Sequence, residues 1–408
     1  MIFGSGKTFR KTLLLLFLLS VCIGSNLFSQ VTEDEDEKDE QYTIAFLLPF
    51  NASKVFIRDL QQSDFFLPNE TQIAVEFYQG AMLAIDSLKK MGLKATVLVY
   101  DAGNDSATIN AILKKEPLED ADLIIGPLAG YALKATSSFC FNEHIPLISP
   151  LSAAYVSSSP NEFFILANAT MRTHCEAVYD YLLKRELTHH LVMVYRKNAQ
   201  DQELVKYIKD YRAKKTYMSS PELKFAELSD SSKMRLSNFR DSLFITDKNI
   251  VLVPSNDEMF VRSLLQKVAS LSADYNIEVI GMPTWSNFDL VPSEYFDSAK
   301  VMITSSFWLD KTSEKAAGFK SQYVSAYQTN PTEYSVRGYD ELFYFGSHLM
   351  QMGDKFLTVF PRTAGLTAST AYDVVPVLRQ ERDVMYRENK SIFFLQHQNG
   401  KWMKLKTY

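Results

Sequence analysis

ADLIIGPLAGYALKATSSFCFNEHIPLISPLSA, residues 121–153, holds a strand, a helix and a second strand in succession. DLIIG (122–126) is a short run, apolar from Leu123 and stopped by Gly126-Pro127, the pattern of a strand buried on both faces. Ala129 to Phe141 carries apolar residues at helical spacing, and IPLIS (145–149) is another buried run, closed by Pro150. Two parallel strands need a crossover between them, and a helix of this length supplies it.

Working outward, the same grammar continues in both directions. Upstream lie a strand at YTIAFLLP (42–49), an amphipathic helix from Val75 to Lys90 with Phe77, Ala81, Ala84, Ile85 and Leu88 on one face, a strand at ATVLVY (95–100) and a helix from Ala107 to Lys115. Downstream, helix Thr173 to Lys184 leads to strand LVMVY (191–195), helix Glu203 to Arg212, strand KFAEL (224–228) and a helix around Lys233 to Ser242. Strand IVLVP (250–254), helix Glu258 to Leu271 and strand EVIG (278–281) close this second set. The remainder reads as a strand at KVMITS (300–305), helices Glu314 to Tyr327 and Tyr339 to Lys355, and a hairpin of SIFFLQ (391–396) and KWMKLK (401–406) turning at Asn399-Gly400. Two successive α/β units predict two doubly wound, parallel-sheet lobes.

The N-terminus belongs to neither unit. Lys7, Arg10 and Lys11 precede an apolar run from Leu13 to Ile23 and a small exit residue, Ser29, so residues 1–29 read as a secretory signal peptide. Acylation of Cys22 is the alternative, disfavoured by bulky Val21 where a small residue is expected. Residues 30–40 form an acidic tether: EDEDEKDE (33–40) has seven acids, one lysine and nothing apolar to bury. The whole chain carries a net charge of −5, of which residues 1–29 contribute +3 and the tether −6, so the part from Gln41 onward is left at −2 with no electrostatic footprint for nucleic acid.

Ligands of open parallel sheets bind outside the carboxyl ends of the strands. Those exits carry Asn51, Gly126, Pro127, Leu128, Ser149, Pro150 and Ser152 in the first unit, and Tyr195, Ser255, Asn256 and Trp285 in the second. Small, hydroxyl-bearing and aromatic residues of this kind suit hydrogen bonding and stacking of a small polar molecule. Trp285, flanked by Thr284, Ser286 and Asn287, is expected to line the crevice between the lobes. Enzyme signals are weak. GSGKT (4–8) lacks the first glycine of a phosphate-binding loop and lies in the export signal, and no GxSxG, HExxH or CxxC occurs. No cofactor and no metal are expected, the pairs Cys140 with His144 and His174 with Cys175 being too small for a metal site.

IAFLLPFN, EFYQGAMLAIDSL, VLVYDAGND, ADLIIGPLAG, HIPLISPLSA, FKSQYVSAYQTNP and RGYDELFYFG follow one another in that order over most of 41–360. In these stretches the chain resembles the type I periplasmic binding proteins, the family of branched-chain amino-acid receptors of ABC importers. The resemblance implies two lobes joined by three crossovers, with 41–166 plus 304–366 in lobe one and 167–303 plus 367–408 in lobe two. Cys140 and Cys175 would then sit in different lobes as buried thiols. The resemblance also implies that Gly126 to Gly130 and Ser149 to Ser152 hold a ligand carboxylate. Two departures stand against an α-amino acid: Leu128 to Tyr131 supply no Ser or Thr after the Gly-Pro pair, and no acid follows EVIGMP. The implied function is non-catalytic: a periplasmic or envelope solute-binding protein serving a membrane transporter or sensor. The alternative is an envelope protein-interaction module on the same fold, such as a regulator of peptidoglycan synthesis.

Overall fold

The computed structural model describes residues 41–54, 67–103, 105–128, 130–157, 159–185, 190–217, 225–230, 236–362, 371–379 and 383–405. Residues 1–40, read above as an export signal and an acidic tether and including Cys22, lie outside the described residues. No described helix is long and apolar enough to cross a membrane.

The elements run β1 Tyr42–Leu48, α1 Asn69–Lys90, β2 Ala95–Asp101, α2 Ser106–Ile112, α3 Glu116–Glu119, β3 Leu123–Ile125, α4 Gly130–Glu143, β4 Leu147–Ser149 and β5 Phe164–Leu166. There follow α5 Met171–Lys184, β6 His190–Arg196, α6 Ala199–Tyr217, β7 Ala226–Asp230, α7 Leu236–Arg240, β8 Asn249–Leu252, α8 Glu258–Leu271, β9 Ile277–Ile280, α9 Ser293–Ser298 and β10 Met302–Ser305. The last are α10 Glu314–Tyr327, α11 Glu333–Met352, β11 Val374–Arg379, β12 Asp383–Asn389, β13 Phe393–Gln398 and β14 Lys401–Lys404.

These strands form two seven-stranded sheets, ordered β11-β12-β5-β4-β3-β1-β2 and β14-β13-β10-β9-β8-β6-β7. Pairing is parallel from β2 through β12 in the first sheet and from β7 through β10 in the second, with β11, β13 and β14 added antiparallel. Alternation along β1 explains the double burial. Ile44, Phe46 and Leu48 join Phe77, Ala81, Ile85, Leu342 and Phe345 on one face, while Ala45 and Leu47 join Ile109, Leu133 and Cys140 on the other. The second sheet packs around Val192, Val251, Leu252, Val279 and Ile303. Cys140 and Cys175 are free, buried thiols in separate cores, and burial pushes Cys175 up to about 12.

One assignment differs from the sequence expectation. Residues 367–408 were expected in lobe two, but β11 and β12 extend the first sheet, Glu388 pairing with Leu166 on β5, and the chain crosses to the second sheet only after Asn389. The Asn399-Gly400 turn is a strong local cue for the hairpin beyond it, and nothing comparable marks β11 and β12. Pro376 sits inside β11, where it is tolerated because β11 is an edge strand with one side unpaired.

Helix α11 buries a carboxyl. Glu341 is buried, its Oε2 meets no hydrogen-bond partner among the described residues, and loss of solvent raises its pKa well above the usual carboxylate value, with Arg337 opposing the rise and Asp340 adding to it. The folded protein therefore keeps a proton that the unfolded chain releases above pH ~4.5. Stability from this group is complete below that pH and is lost as pH rises through the folded value. Glu341→Gln should thus match the parent near pH 4 and exceed it progressively above pH 5, by about 1.4 kcal/mol for each unit of the shift traversed. Urea midpoints of the two proteins at pH 4.5, 6 and 8 check this, and a constant gap across the three would refute it.

Candidate binding crevice

Connectivity alone brings the carboxyl ends of both sheets to one place. β12 runs parallel to β5, so it ends at the carboxyl edge of the first sheet. After three intervening residues β13 begins, and Phe393 pairs with Ser305, the last residue of β10, at the carboxyl edge of the second. The exits of the two sheets are thereby neighbours across the crossovers, where a doubly wound sheet accepts a ligand.

In the first lobe, Asp101 at the end of β2 ties two exits together. Its carboxylate accepts from the backbone N–H groups of Asn51 (2.9 Å), Ala52 (2.8 Å) and Gly103 (3.1 Å). Asn51 is buried with φ +50°, its amide donates to Pro49 O, and its Oδ1 has no partner among the described residues. Gly126 has φ +101°, and a Cβ there would stand 2.2 Å from Leu47 O, so only glycine fits. It joins Pro127 through a cis peptide, and Leu128 turns onto the first core instead of offering a hydroxyl. Ser149 is fully buried, and its Oγ also has no partner among the described residues.

The loop after β4 is held by two residues that the sequence reading did not single out. Asn168 Nδ2 donates to Pro150 O (3.1 Å) and Leu151 O (2.9 Å), while its Oδ1 accepts from Arg337 Nη1 (2.8 Å). Arg337 pairs with Glu333 and lies over the ring of Phe307, 4.7 Å from its centroid. Ser152 Oγ accepts from Ala154 N (3.2 Å) within its own turn. Arg337 opens the RGYDELFYFG motif, but its partner lies 169 residues away, a separation no local pattern reveals.

In the second lobe the expected residues are engaged by neighbouring protein groups. Ser255 Oγ donates to Asp201 Oδ1 (3.0 Å), and Asp201 Oδ2 accepts from Arg196 N (3.0 Å). Arg196 Nη1 pairs with Asp257 Oδ2 (3.1 Å), the residue that caps α8 through Phe260 N (2.7 Å). Asn256 Oδ1 accepts from Thr284 Oγ1 (2.7 Å), and Tyr195 OH donates to Glu227 (3.1 Å). Tyr195 also lines an outer cavity of about 440 Å³ with Lys197, Gln202 and Lys206.

Trp285 departs from the expectation that it lines the crevice. Its side chain has 0% exposure in the second core, its Nε1 donates to Ser255 O (2.8 Å), and its ring stacks on Phe288. The polar neighbours that suggested a crevice position lie on a 3₁₀ turn, Pro283–Asn287, which turns Ser286 and Asn287 outward and the indole inward.

No family model matches the chain, and no curated protein matches it. Solved structures do. A protein from Rhodospirillum rubrum assigned to branched-chain amino acid ABC transport superposes with a TM-score of 0.62 at 16% identity, covering 90% of this chain and 100% of its own. A branched-chain amino acid ABC transporter periplasmic ligand-binding protein from Burkholderia xenovorans gives 0.59 at 9% identity, over 90% and 95%. An ABC transporter substrate-binding protein from Desulfitobacterium hafniense, in complex with Leu, gives 0.56 at 12% identity, over 90% and 100%. The shared architecture is two α/β lobes, each a largely parallel sheet between helices, joined by repeated crossovers, and this chain has the type I periplasmic binding protein fold.

Proposed function

We propose that this chain is a non-catalytic solute-binding protein that closes its two lobes on a small polar ligand and presents it to a membrane transporter or sensor. The observation that carries this reading is the meeting of both carboxyl edges at the crossovers, with buried, unpartnered polar atoms, Asn51 Oδ1 and Ser149 Oγ, on the first-lobe side. Buried polar atoms without partners are uncommon, and a ligand donating hydrogen bonds would satisfy them. The N-terminal segment, which reads as an export signal, and the fold of transporter-associated proteins support the same role.

Leu128 facing the core removes the hydroxyl that would grip an α-carboxylate beside Gly126-Pro127. The ligand is therefore a neutral or donor-rich solute in preference to an ordinary α-amino acid. A thermal-shift panel of amino acids, sugars, short peptides and cell-wall fragments tests this. A ligand at 100 times its dissociation constant adds about 2.7 kcal/mol of stability to the folded state. A shift with a sugar or another donor-rich solute is expected. Silence across the panel overturns solute binding, and a shift with amino acids alone overturns the ligand class.

A further inference from the structure

The three crossovers meet at the first turn of α5. Glu388, the penultimate residue of β12 in the first sheet, is fully buried, and its Oε1 accepts from Thr170 N (2.7 Å) and Thr173 Oγ1 (2.6 Å). Thr170 is the N-cap of α5, a helix of the second lobe, so a carboxylate from one lobe lies at a helix N-terminus of the other, where the free N–H groups and the helix dipole favour negative charge. Lys390, on the third crossover, pairs with the remaining oxygen, Oε2 (2.9 Å), and donates to Thr173 Oγ1.

The second crossover joins the same point. Ser306 Oγ accepts from Ala169 N (3.2 Å), and His174 Nδ1 bonds Thr304 Oγ1 (2.9 Å), with Nε2 at 3.4 Å from Ser306 Oγ. Burial lowers His174 to about 3, so the ring is neutral there and adds no charge to the cluster. Asn389 Nδ2 donates to Ala167 O (3.1 Å), binding the third crossover to the first. Beyond Ser306 the chain alternates its allegiance: Phe307 and Leu309 pack on the first-lobe cluster of Phe319, Tyr323 and Val336, while Trp308 packs on the second-lobe core.

We propose that Glu388, paired with Lys390 and seated on the first turn of α5, is the fixed pivot of the hinge, and that the lobes rotate about it while Phe307 to Leu309 slide. The contrast in chemistry carries this assignment. The two bonds to Glu388 Oε1 are short, directional and charge-assisted and lie out of water, and Lys390, itself part-exposed, meets Oε2 as an ion pair alone, so a lateral displacement would leave a buried carboxylate without its donors. The Trp308 contacts are apolar and non-directional, and such surfaces tolerate small shear at little cost. The inference concerns the motion of the lobes and holds whichever ligand they enclose.

The test is a spin-label distance measurement between Lys114→Cys in lobe one and Gln266→Cys in lobe two of the full-length, ligand-free protein carrying Cys22→Ser. Both positions are exposed, while Cys140 and Cys175 are buried and escape labelling. The unaltered hinge should give one narrow distance distribution. Glu388→Ala and Lys390→Met should each widen it about twofold or more, as a rotation centre becomes a loose joint. Thr173→Val removes one of the two bonds to Oε1 and should widen it less, giving a readable result even where Glu388→Ala does not fold. Asn161→Ala serves as the control. It breaks the buried bond to Ser137 O (2.9 Å) within lobe one alone and should leave the distribution narrow. Unchanged widths in Lys390→Met and Thr173→Val, or equal widening in Asn161→Ala, would overturn the pivot.

Discussion

Gly80→Ala should destabilise the protein by ~2–3 kcal/mol, although the same change in an exposed helix stabilises. Alanine is favoured over glycine in a helix interior by ~1 kcal/mol, so propensity alone predicts a gain. Packing decides otherwise. A Cβ on Gly80 would stand 1.8 Å from Ser335 O and 2.7 Å from Ser335 C, both backbone atoms of α11. Gly338 mirrors the contact, its added Cβ falling 2.0 Å from Phe77 O on α1. The two helices thus touch backbone to backbone, and no side-chain rotation relieves the overlap; α1 and α11 must separate along a buried seam. Gly318 on α10 provides the internal comparison, because an added Cβ there meets nothing within 4 Å. Gly318→Ala should gain about 0.5–1 kcal/mol. Urea midpoints at constant slope measure both, and a Gly80→Ala protein as stable as its parent would show that the seam opens freely.

That seam explains why two of the stretches carrying the family resemblance, EFYQGAMLAIDSL and RGYDELFYFG, each hold a glycine inside a helix. The sequence shows the glycines; their reason lies in a partner helix more than 250 residues away. Other features were legible because their causes are local. β8 and β9 are buried along their whole length and apolar but for Asn249 and Glu278, the latter paired with Arg185 and Lys248. Helices Glu258–Leu271 and Glu314–Tyr327 were read with their observed ends because Asp257 and Ser313 cap them with side-chain hydrogen bonds. α1 begins at Asn69, six residues before the first residue read as helical, because its first turn is polar and carries no apolar period. β5 and β12 escaped notice for different reasons: one is three residues long, and the other is largely polar for a strand.

The candidate site was legible in residue type and not in commitment. Strand exits rich in Ser, Asn and Trp are what a polar ligand needs, and they are equally what adjacent loops need to satisfy one another. Ser255 lies at the expected exit, yet its hydroxyl is spent on Asp201, and Asn256 receives the Thr284 hydroxyl. Asn51 and Ser149 keep an unpartnered atom each. The difference is set by loops that approach in space, which spacing along the chain does not encode.

Trp285→Ala should cost ~3–5 kcal/mol of stability, the range of a large aromatic removed from a core, whereas an indole that served only as a stacking surface would cost ~1 kcal/mol of ligand binding and little stability. Three observations set the larger figure. The side chain is fully buried in the second-lobe core. Its Nε1 is bonded to Ser255 O, whose neighbouring hydroxyl holds Asp201, so truncation leaves a buried carbonyl without its donor and loosens the exit of β8. The backbone is also shaped around the ring: a Cβ on Gly281 would lie 2.3 to 2.5 Å from three indole carbons, so that glycine exists to admit the tryptophan. Trp285→Phe keeps an aromatic ring against Phe288 and loses the hydrogen bond and part of the volume, so its cost should be smaller, about 1–2 kcal/mol. Denaturation midpoints of the two variants separate the readings. Near-parental stability in Trp285→Ala, with weakened binding of a ligand found in the panel, would return the indole to the crevice wall. A large loss in Trp285→Ala with an intermediate one in Trp285→Phe identifies it as the keystone under the second-lobe exits, acting on any ligand only through the loops it supports.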